Sequence, residues 1–600
     1  MCGIYLTNIP FKEEQVKTKL EKIKYRGPDY TGVFKKDTVT LGHLRLAILD
    51  LDERSNQPFQ FNNLAIVYNG EIYNFKDIRK ELETLGYSFQ TTSDTEVLLK
   101  GYDAWEEKVL DKLNGMFAFA IYDTEKQKVF CARDRLGVKP FYYYWKEGQF
   151  EICSQLQPLM NKESKVSSEA VSIYLSTGYV PSPYSILEDV YKLQPGCILS
   201  IDLKKKSKVI TKYWDLEEVE ILDIGYDEAK TRIKTLLTDA VKIRMQADVP
   251  LGTFLSGGVD SALVTAMAAE MSPEKIKTFT IGFEDPKYDE SKVAEKFASI
   301  LGTEHTTTIC KVDDVLELIP QLIEVYDEPF ADSSALPSLL LNKITKQYVT
   351  VALSGDGGDE SFIGYNHFST ILKYKKLELV PLVFRKVFSK LLTESNKYKN
   401  ILLCRTENDF IKRIFIGEQT LLTNKKSHWI DENFPTYKYL SSNSIQKTAD
   451  LNIKLWLEND SNVKVDRASM AYSMEIRSPF LDYRIVELAR KLPMNFKFGD
   501  NKTKRILRDI LSGYIPEDVF NLPKSGFSIP IGKWLKTSLK EDFEQSVTND
   551  FLNKISNIDI VYTKTMIDAY FNDPAIGKDS NTELIWRLFV LAKWMKKYNE

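Results

Sequence analysis

The second residue of the chain, Cys2, has a side chain whose type and position could do chemistry. Removal of Met1 would place a free α-amine on the same residue as the thiol. The amine has a reference pKa of about 7.7–8.0 and the thiol one of about 8.5, so the amine can be the base that a nucleophilic thiol needs. The alternatives are a chance cysteine and a Cys–His dyad. His43 stays open as the base of such a dyad, although histidines are few: His43, His305, His367 and His428.

A second candidate site is the segment FLSGGVDS, residues 254–261, between a predicted strand and a predicted helix. Its two glycines allow close backbone approach to an anion, and Ser256, Ser261 and the helix N-terminus can donate hydrogen bonds to it. The segment is not a Walker A loop, because G-x-x-x-x-G-K-[ST] is absent. Asp260 would repel a phosphate unless a cation lay between them, so it indicates Mg²⁺. The alternative is an ordinary glycine-bearing turn.

The elements that follow Cys2 are predicted to be mainly strands joined by turns. Short apolar segments bounded by Gly, Asn or Asp predict strands over Val39–Leu49, Leu64–Tyr68 and Met116–Tyr122. Ile78–Leu85 has the pattern of an amphipathic helix, and Thr92–Glu96 begins another. These elements indicate a mostly β, or layered α+β, domain.

The segment 254–261 belongs to a different pattern, in which strand, loop and helix alternate. Strands are predicted over Pro250–Leu255, Lys277–Phe283 and Val349–Leu353. Helices are predicted over Tyr226–Met245, Ala262–Met271 and Glu290–Leu301. This alternation predicts a parallel α/β sheet, followed beyond residue 365 by mainly helical chain. A polar stretch at 202–208 precedes the change of pattern, so we place a domain boundary near residue 212, giving domains 1–212 and 213–600.

Composition excludes several classes of protein. The 600 residues are 43% hydrophobic and 28% charged, with a net charge of −3, so no basic field for nucleic acid is expected. No apolar run approaches the roughly 20 residues of a membrane span, and no membrane partner is expected. The six cysteines form no C-x-x-C pair, and the first residues, MCGIY, have no signal-peptide pattern. We therefore expect a reduced, cytoplasmic protein without a zinc site or disulfides.

Eight segments in the first 200 residues share a specific resemblance. They are MCGI, RGPD, HLRLAILD, NQP, YNGEIYN, SDTEV, NGMFAFAIYD and RDRLGVKPFYY. In this order they resemble the class II glutaminase domain of glutamine-hydrolysing asparagine synthetases. The resemblance implies an N-terminal-nucleophile αββα fold in which Cys2 attacks the side-chain amide of glutamine.

The same resemblance assigns roles around Cys2. The Asn69 side chain and the Gly70 backbone N–H would stabilise the oxyanion. The implied glutamine-binding residues are Arg45, Leu46, Ile48, Leu49, Asn69, Gly70, Glu71 and Asp94. A guanidinium suits the glutamine carboxylate and a carboxylate suits its ammonium, which fits Arg45 and Asp94. From the residues alone, Arg45 is open to interpretation as part of a buried ion pair, and Asp94 as a helix N-cap.

The second half resembles the synthetase domain of the same family. SGGVDS is similar to the pyrophosphate loop of N-type ATP pyrophosphatases, which implies an adenine nucleotide α-hydrolase-like fold and adenylation of a carboxylate. TFTIGF, YDEPFADSS, LSGDGGDE, DRASM, EIRSPFLD, KTKRILR and PKSGF also match. The implied ATP contacts are Phe254, Leu255, Ser256, Gly257, Gly258, Asp260, Ser261, Ile281, Ser354 and Gly355. Asp359 would share Mg²⁺ with Asp260, Asp356 would help to form the acyl-adenylate, and Lys504 would neutralise negative charge during adenylation.

The resemblance predicts that ammonia from glutamine travels internally to β-aspartyl-AMP, which is made from aspartate and Mg-ATP. Ser361 and Ile363 depart from the family pattern G-D-E-L-F-G-G-Y, and CSQ at 153–155 replaces A-S-E. An acceptor other than aspartate, such as a sugar acid or another metabolite carboxylate, therefore stays open. Cys2 with its surrounding residues argues against a ring-closing synthetase such as β-lactam synthetase, and the full set of reactive groups argues against an inactive scaffold. The expected partners are small molecules, and the oligomeric state, a homodimer included, is open.

Overall fold

A computed structural model describes residues 2–392, 401–416, 421–423, 429, 443–499, 502–521, 529–572 and 581–599. The PKSGF motif at 523–527 lies outside these residues.

Two six-stranded antiparallel sheets form the amino-terminal part. Their strands are β1 Gly3–Thr7, β2 Tyr30–Lys36, β3 Val39–Arg45, β4 Phe59–Phe61, β5 Leu64–Ile72, β6 Gly115–Asp123, β7 Lys128–Arg133, β8 Tyr142–Lys146, β9 Gln149–Cys153, β10 Val190–Lys192, β11 Cys197–Asp202 and β12 Ser207–Lys212. The first sheet has the order β10-β8-β9-β1-β3-β2, and the second β12-β11-β7-β6-β5-β4.

The two sheets stack face to face and carry helices on their outer faces. Ile4 of the first sheet and Val67 of the second lie in one buried cluster between them. Helix α1 (Glu13–Glu21) packs on the first sheet, while α2 (Phe75–Thr84) and α3 (Asp94–Trp105) cover the second. This αββα layering confirms the predicted α+β architecture and places Cys2 at the amino-terminal end of β1, an interior strand of the first sheet.

Two strands differ in length from their predictions. The strand predicted over Val39–Leu49 ends at Arg45, because the chain beyond it turns so that carbonyl groups face the Arg45 guanidinium. The strand predicted over Leu64–Tyr68 continues to Ile72, since its pairing with β6 extends that far. Asn69, Gly70 and Glu71 therefore lie on a strand and not in a loop.

The second part contains a five-stranded sheet in which all pairs are parallel. Its strands are β13 Leu251–Phe254, β14 Lys277–Phe283, β15 Glu304–Cys310, β16 Val351–Leu353 and β17 Glu475–Arg477, in the order β15-β14-β13-β16-β17. The predicted parallel α/β sheet is confirmed. Strands β15 and β17 were not predicted, because EHTTTIC and EIR lack the apolar run that a buried strand usually shows.

Helices form most of the remaining regular structure of the described chain. Beyond residue 365 the chain is mainly helical, as predicted. They are α4 Val109–Lys112, α5 Ser168–Thr177, α6 Tyr226–Arg244, α7 Val259–Met271, α8 Ser291–Leu301, α9 Val312–Val325, α10 Ala335–Thr345, α11 Gly358–Ser361, α12 Asn366–Glu378, α13 Leu382–Lys390, α14 Glu407–Phe415, α15 Ser444–Leu451, α16 Asn462–Met470, α17 Tyr483–Lys491, α18 Met494–Lys497, α19 Arg505–Leu511, α20 Glu517–Phe520, α21 Ile531–Lys536, α22 Lys540–Ser546, α23 Asn549–Lys554, α24 Ile560–Asn572 and α25 Thr582–Asn599, with a π-helix at Asn452–Ser461. Among the described helices, none has both the length and the apolar character that a membrane crossing requires.

Candidate active site

Cys2 lies immediately before β1, with only 9% of its surface exposed. Its backbone N–H donates a hydrogen bond of 2.9 Å to Asn69 Oδ1, and its Sγ lies 4.0 Å from the Leu46 carbonyl oxygen. Its carbonyl oxygen accepts a bond of 3.1 Å from Arg26 Nε. Burial raises the pKa of the Cys2 thiol, although the nearby Arg45 guanidinium acts in the opposite direction. The thiol therefore needs a base to become a nucleophile.

Asn69 is completely buried beside Cys2 and carries a donor that nothing in the described part of the chain uses. Because the Cys2 N–H can only donate, the atom that it meets is the amide oxygen, which fixes the orientation of the Asn69 side chain. Its Nδ2 then has no hydrogen-bond partner among the described residues. Buried donors are nearly always paired, so a free one beside a thiol fits a site that stabilises an oxyanion.

Gly70 follows Asn69 where β5 passes close to β6. A Cβ added at Gly70 would lie 2.2 Å from the Met116 carbonyl oxygen, so no larger residue fits without moving the backbone. The packing of the two strands thus explains the glycine. The next residue, Glu71, points its charge toward the second part of the chain.

The sequence left two structural roles open, a buried ion pair for Arg45 and a helix N-cap for Asp94. The structure shows neither role among the described residues. The Arg45 guanidinium donates to Asn56 Oδ1 at 2.8 Å and to backbone carbonyl oxygens, among them that of Asp52 at 2.9 Å, and it pairs with no carboxylate of the described residues. The N-cap of α3 is Ser93, whose hydroxyl accepts from the Thr95 N–H. The interpretation of Asp94 as the N-cap is wrong, because Asp94 is the first residue of the helix.

The Asp94 carboxylate instead faces the inner strand β5. It accepts a hydrogen bond of 2.8 Å from the Tyr68 hydroxyl and one of 2.9 Å from the Ile72 N–H. Burial raises the pKa of Asp94, and these two bonds oppose the rise. The structure thus brings Asp94 onto the strand that carries Asn69 and Gly70.

Glu71 joins the amino-terminal sheets to the parallel sheet. Its carboxylate lies 3.1 Å from Arg477 Nη2, on β17, and both side chains are buried. Arg477 also donates to Glu475 at 2.6 Å. Burial raises the pKa of Glu71, whereas the Arg477 guanidinium lowers it. The two parts of the chain therefore share a buried charge network at this site.

His43, the alternative base, is completely buried on β3. Its Nε2 lies 3.1 Å from the Tyr68 carbonyl oxygen, which can only accept, so Nε2 carries the proton. Burial lowers the pKa of His43 to about 3. A histidine with so low a pKa is a weak base at neutral pH, which argues against a Cys–His dyad.

The segment 254–261 forms the turn between β13 and α7. Ser256 Oγ and Ser261 Oγ lie 2.9 Å apart, and the Gly258 N–H donates to Ser256 Oγ at 3.2 Å. Helix α7 begins at Val259, so the backbone N–H groups of its first turn lie at the same loop. On the neighbouring strand, Ile281 lies two residues beyond the last residue paired with β13. The loop and the buried carboxyl-terminal half of β14 therefore adjoin.

A second loop, residues 354–360, follows β16 and touches the first. A Cβ at Gly355 would lie 2.7 Å from the Ser261 nitrogen, and one at Gly358 would lie 2.5 Å from Asp260 Cγ. The two loops can approach so closely only because both positions are glycine. The half-buried Asp356 accepts a 2.7 Å hydrogen bond from Ser354 Oγ, and burial raises the pKa of its carboxyl group.

Lys504 brings a cation to the point where the loops meet. Its ammonium pairs with Asp260 and lies 2.5 Å from Asp359 Oδ1. Burial would lower the pKa of Lys504, but the two carboxylates raise it above its usual range. Two converging carboxylates fit a divalent cation, although no cluster of three or more acidic, histidine or cysteine ligands exists among the described residues. Further ligands would have to come from water or a bound phosphate.

Known protein families match both parts of the chain. The family model for asparagine synthase matches residues 232–596, and that for a glutamine amidotransferase domain matches residues 1–214. Asparagine synthetase [glutamine-hydrolyzing] 1 of Bacillus subtilis is 32% identical over 99% of this chain and 96% of its own length. The chain belongs to the glutamine-hydrolysing asparagine synthetase family. Asparagine synthetase [glutamine-hydrolyzing] 3 of the same bacterium is 30% identical over 100% of this chain and 99% of its own length.

Among solved structures, a glutamine phosphoribosylpyrophosphate amidotransferase from B. subtilis matches 51% of this chain and 65% of its own, with 15% identity and a TM-score of 0.29. A score this low supports no argument about the site. The assignment to the asparagine synthetase family rests on the sequence matches, and the fold on the sheets and helices described above.

In this family member, sequence reasoning missed two charged residues of the site. Arg477 was noted only as part of a matching segment, because nothing in EIRSPFLD signals a partner more than 400 residues away. Lys464 lies 2.7 Å from Asp332, and burial would raise the pKa of that carboxyl group, but Lys464 lowers it to about 2. Burial raises the pKa of Asp356, and the Lys464 charge opposes that rise. In the sequence, only the position of Lys464, two residues before the DRASM motif, indicated that it could belong to the site.

Two departures from the family pattern, Ser361 and Ile363, follow Asp359 closely in the chain. Ile363, with φ of 60°, has a left-handed backbone where the family often has glycine, a strained state for a β-branched residue. Lys504 is also left-handed, with φ of 55°. A Cβ at Gly364 would lie 1.8 Å from Asp359 Oδ1. The backbone at Gly364 thus approaches Asp359 closely, whereas the Ile363 side chain packs in a buried apolar cluster with Phe368 and Ile371.

Proposed function

We propose that the chain is a glutamine-dependent asparagine synthetase, an ATP-dependent carbon–nitrogen ligase. One site hydrolyses glutamine to ammonia. The other converts aspartate and Mg-ATP to β-aspartyl-AMP and pyrophosphate, and ammonia then displaces AMP to give asparagine. The observation that carries the proposal is the Nδ2 donor of Asn69 beside Cys2, which has no hydrogen-bond partner among the described residues, in a chain that also holds the loops at 254–261 and 354–360.

At the first site, the Cys2 thiolate attacks the side-chain carbonyl carbon of glutamine. The negative charge that develops on the oxygen is stabilised by Asn69 Nδ2 and the Gly70 N–H. The α-amine returns the thiol proton to the amide nitrogen, which leaves as ammonia, and water then hydrolyses the thioester to glutamate and the free thiol. The α-amine exposed by removal of Met1 is the base. The pKa of about 3 for His43 supports this assignment, because His43, the alternative base, is weak at neutral pH.

The glutamine backbone is held by charges of opposite sign. Arg45 binds the α-carboxylate and Asp94 the α-ammonium, with further contacts from Glu71 and the backbone. The contributing residues are Arg45, Leu46, Ile48, Leu49, Asn69, Gly70, Glu71 and Asp94. In the structure described, loop carbonyls occupy the Arg45 donors, so bound glutamine exchanges with some of these contacts.

At the second site, the nucleotide lies across the ends of β13 and β14. Its contacts are Phe254, Leu255, Ser256, Gly257, Gly258, Asp260, Ser261, Ile281, Ser354 and Gly355. Asp260 and Asp359 hold Mg²⁺, which offsets phosphate charge when it is bound. Lys504 adds a positive charge on the same side, and Asp356 acts next to the carboxylate that is adenylated.

Ammonia passes between the sites inside the protein, where it stays unprotonated. Leu46, whose carbonyl faces Cys2, belongs to a buried apolar cluster with Met116, Val351 and Met470. Val351 begins β16, the strand that leads into the second loop. The cluster thus spans the two parts of the chain, for which we propose the limits 1–212 and 213–600. The six cysteines are free, which supports a reduced, cytoplasmic location.

Aspartate is the proposed acceptor, and the comparisons give no support to a sugar acid. The experiment that tests the function is product analysis of the purified chain with glutamine, Mg-ATP and a panel of carboxylic acids. Stoichiometric asparagine, AMP and pyrophosphate with aspartate are expected. Amide formation on another acid, with none on aspartate, would contradict the assignment.

A further inference from the structure

Helix α13 and the turn before it present an apolar surface to solvent. We call this the α13 surface, and its side chains are Leu379, Val380, Val383, Phe384, Val387, Phe388 and Leu391. Leu379 is 85% exposed, Val383 71% and Leu391 76%. Single exposed apolar side chains are common, but a contiguous group of this kind marks an interaction site.

The helix is oriented with its polar side inward. Arg385 and Ser389, one turn apart, are its buried positions. Arg385 Nη1 donates a hydrogen bond of 2.8 Å to the Cys404 carbonyl oxygen, which fixes this orientation. At 3.6 residues per turn the apolar side chains of the α13 surface then point away from the protein. An amphipathic helix ordinarily buries its apolar side, but no described residue covers this one, so the surface is open to a partner.

Exposed lysines lie on α13 and on the helix before it. The exposed charged residues of 373–391 are Lys373, Lys375, Lys376, Glu378, Lys386 and Lys390. Five of these six are basic, whereas the whole chain has a net charge of −3, so the positive potential is local. An apolar face bordered by lysines is the composition of a helix that lies in the interface of a membrane with anionic lipids.

We propose that the α13 surface docks on an anionic lipid bilayer. The phenylalanine, valine and leucine side chains enter the boundary between headgroups and acyl chains, and the lysines meet the anionic headgroups. Such a peripheral contact needs no membrane-spanning helix, and the described residues contain none. The sequence predicted no membrane partner, because it has no apolar run long enough to cross a membrane. A peripheral contact is compatible with that lack, although it departs from the broader prediction.

The charges argue against a second copy of the chain as the occupant. In a two-fold contact the same surface meets itself, so the lysines of both copies would gather around one interface. Within residues 373–391, Glu378 is the only acidic residue to offset them, and outside this range Glu407 lies 3.8 Å from Lys375. A lipid surface with anionic headgroups satisfies the apolar face and the lysines together.

Flotation of the full-length protein with vesicles tests the proposal. Vesicles of one part phosphatidylglycerol to two parts phosphatidylcholine should carry the protein upward at low salt, and pure phosphatidylcholine vesicles should carry far less. Binding should weaken as salt screens the lysines. The variant Phe384→Glu/Phe388→Glu should bind about tenfold or more weakly, because each change removes apolar area and adds a repelled charge. Lys386→Glu/Lys390→Glu should also bind more weakly.

Val561→Glu is the matched control, because Val561 is 77% exposed on α24 and lies outside the α13 surface. This variant should float like the original chain, and all variants should form asparagine in solution at the original rate if they fold. Absence of flotation with anionic vesicles at low salt, or equal flotation of Phe384→Glu/Phe388→Glu, would overturn the proposal. Sedimentation velocity showing a dimer that this double variant abolishes, without lipid binding, would assign the surface to a second copy instead.

Discussion

The carboxylate of Glu71, on an inner strand of the amino-terminal sheets, lies 3.1 Å from the guanidinium of Arg477 at the edge of the parallel sheet. The Arg477 carbonyl oxygen also accepts a 2.9 Å hydrogen bond from the Ser354 N–H, at the start of the second acidic loop. One residue therefore contacts the proposed glutamine pocket with its side chain and the proposed nucleotide site with its backbone.

Loss of this ion pair should destabilise the whole protein. Arg477→Met leaves the Glu71 and Glu475 carboxylates buried without their cation, which should cost about 3–5 kcal/mol in the free energy of unfolding. Adding Glu71→Gln should recover part of this loss, because the uncompensated charge is removed. Urea unfolding measures both changes.

Lys597→Met serves as the control for Arg477→Met. Lys597 pairs with Glu324 at 3.4 Å in an exposed position, so its removal should change stability by less than about 1 kcal/mol. Strictly additive effects of Arg477→Met and Glu71→Gln would show that the two side chains do not interact.

The oxyanion role of Asn69 predicts a large but incomplete loss of glutaminase activity. Asn69→Ala should lower kcat by about 10²–10³-fold, since one donor is lost. Cys2→Ala should abolish glutamine-dependent synthesis. Both variants should keep asparagine synthesis from added ammonium, which bypasses the first site. Retention of glutaminase activity in Cys2→Ala would exclude Cys2 as the nucleophile.

The sequence predicted the architecture because its signals were local. The alternation of strands and helices from residue 249 and the short apolar strands before it were enough for the layered sheets and the parallel sheet. Helix α6, predicted over Tyr226–Met245, ends one residue earlier, at Arg244. Polar or very short strands such as β15 and β17 were missed, because their place in the sheet is decided by tertiary pairing.

The site was predictable only as a set of residues, not as a set of contacts. Type and spacing selected Cys2, Asn69 and Asp260, and the family resemblance supplied their proposed roles. The pairing of Arg477 with Glu71, and of Lys504 with two carboxylates, depends on which loops the fold brings together. No local pattern encodes such contacts. For Asp94, the sequence alone allowed the interpretation as a helix N-cap, because its bonds to Tyr68 and Ile72 depend on the tertiary fold.

Magnesium binding by Asp260 and Asp359 predicts the loss of adenylation with either nitrogen source. Asp260→Asn and Asp359→Asn should each remove aspartate-dependent pyrophosphate release while leaving glutaminase activity intact. The Lys504 ammonium also loses a charged partner in each variant, so metal binding should be measured directly, by Mg²⁺ titration of ATP binding. Near-normal Mg²⁺-dependent pyrophosphate release in both variants would rule out these ligands.

His43 predicts a decline of stability in acid. The pKa of His43 is about 3 in the folded protein and about 6.5 in the unfolded chain. Between these pH values the unfolded chain binds a proton at His43 and the folded protein does not. The free energy of unfolding should therefore fall as pH drops from 6.5 toward 3, by about 1.4 kcal/mol per pH unit from this group. His43→Gln should remove that part of the slope in urea unfolding at several pH values. An unchanged slope would contradict the buried, neutral state.

The α-amine of Cys2 is the proposed base, which requires removal of Met1. Mass spectrometry of active protein should show Cys2 as the first residue. A variant with a retained or acetylated amino-terminal extension should lose glutaminase activity but keep ammonia-dependent synthesis, because an acylated amine is no longer a base. His43→Gln distinguishes the rival base, and near-normal glutamine hydrolysis in that variant is expected from the low pKa of His43. If the extended chain instead hydrolyses glutamine at the normal rate, the thiol is activated by another group.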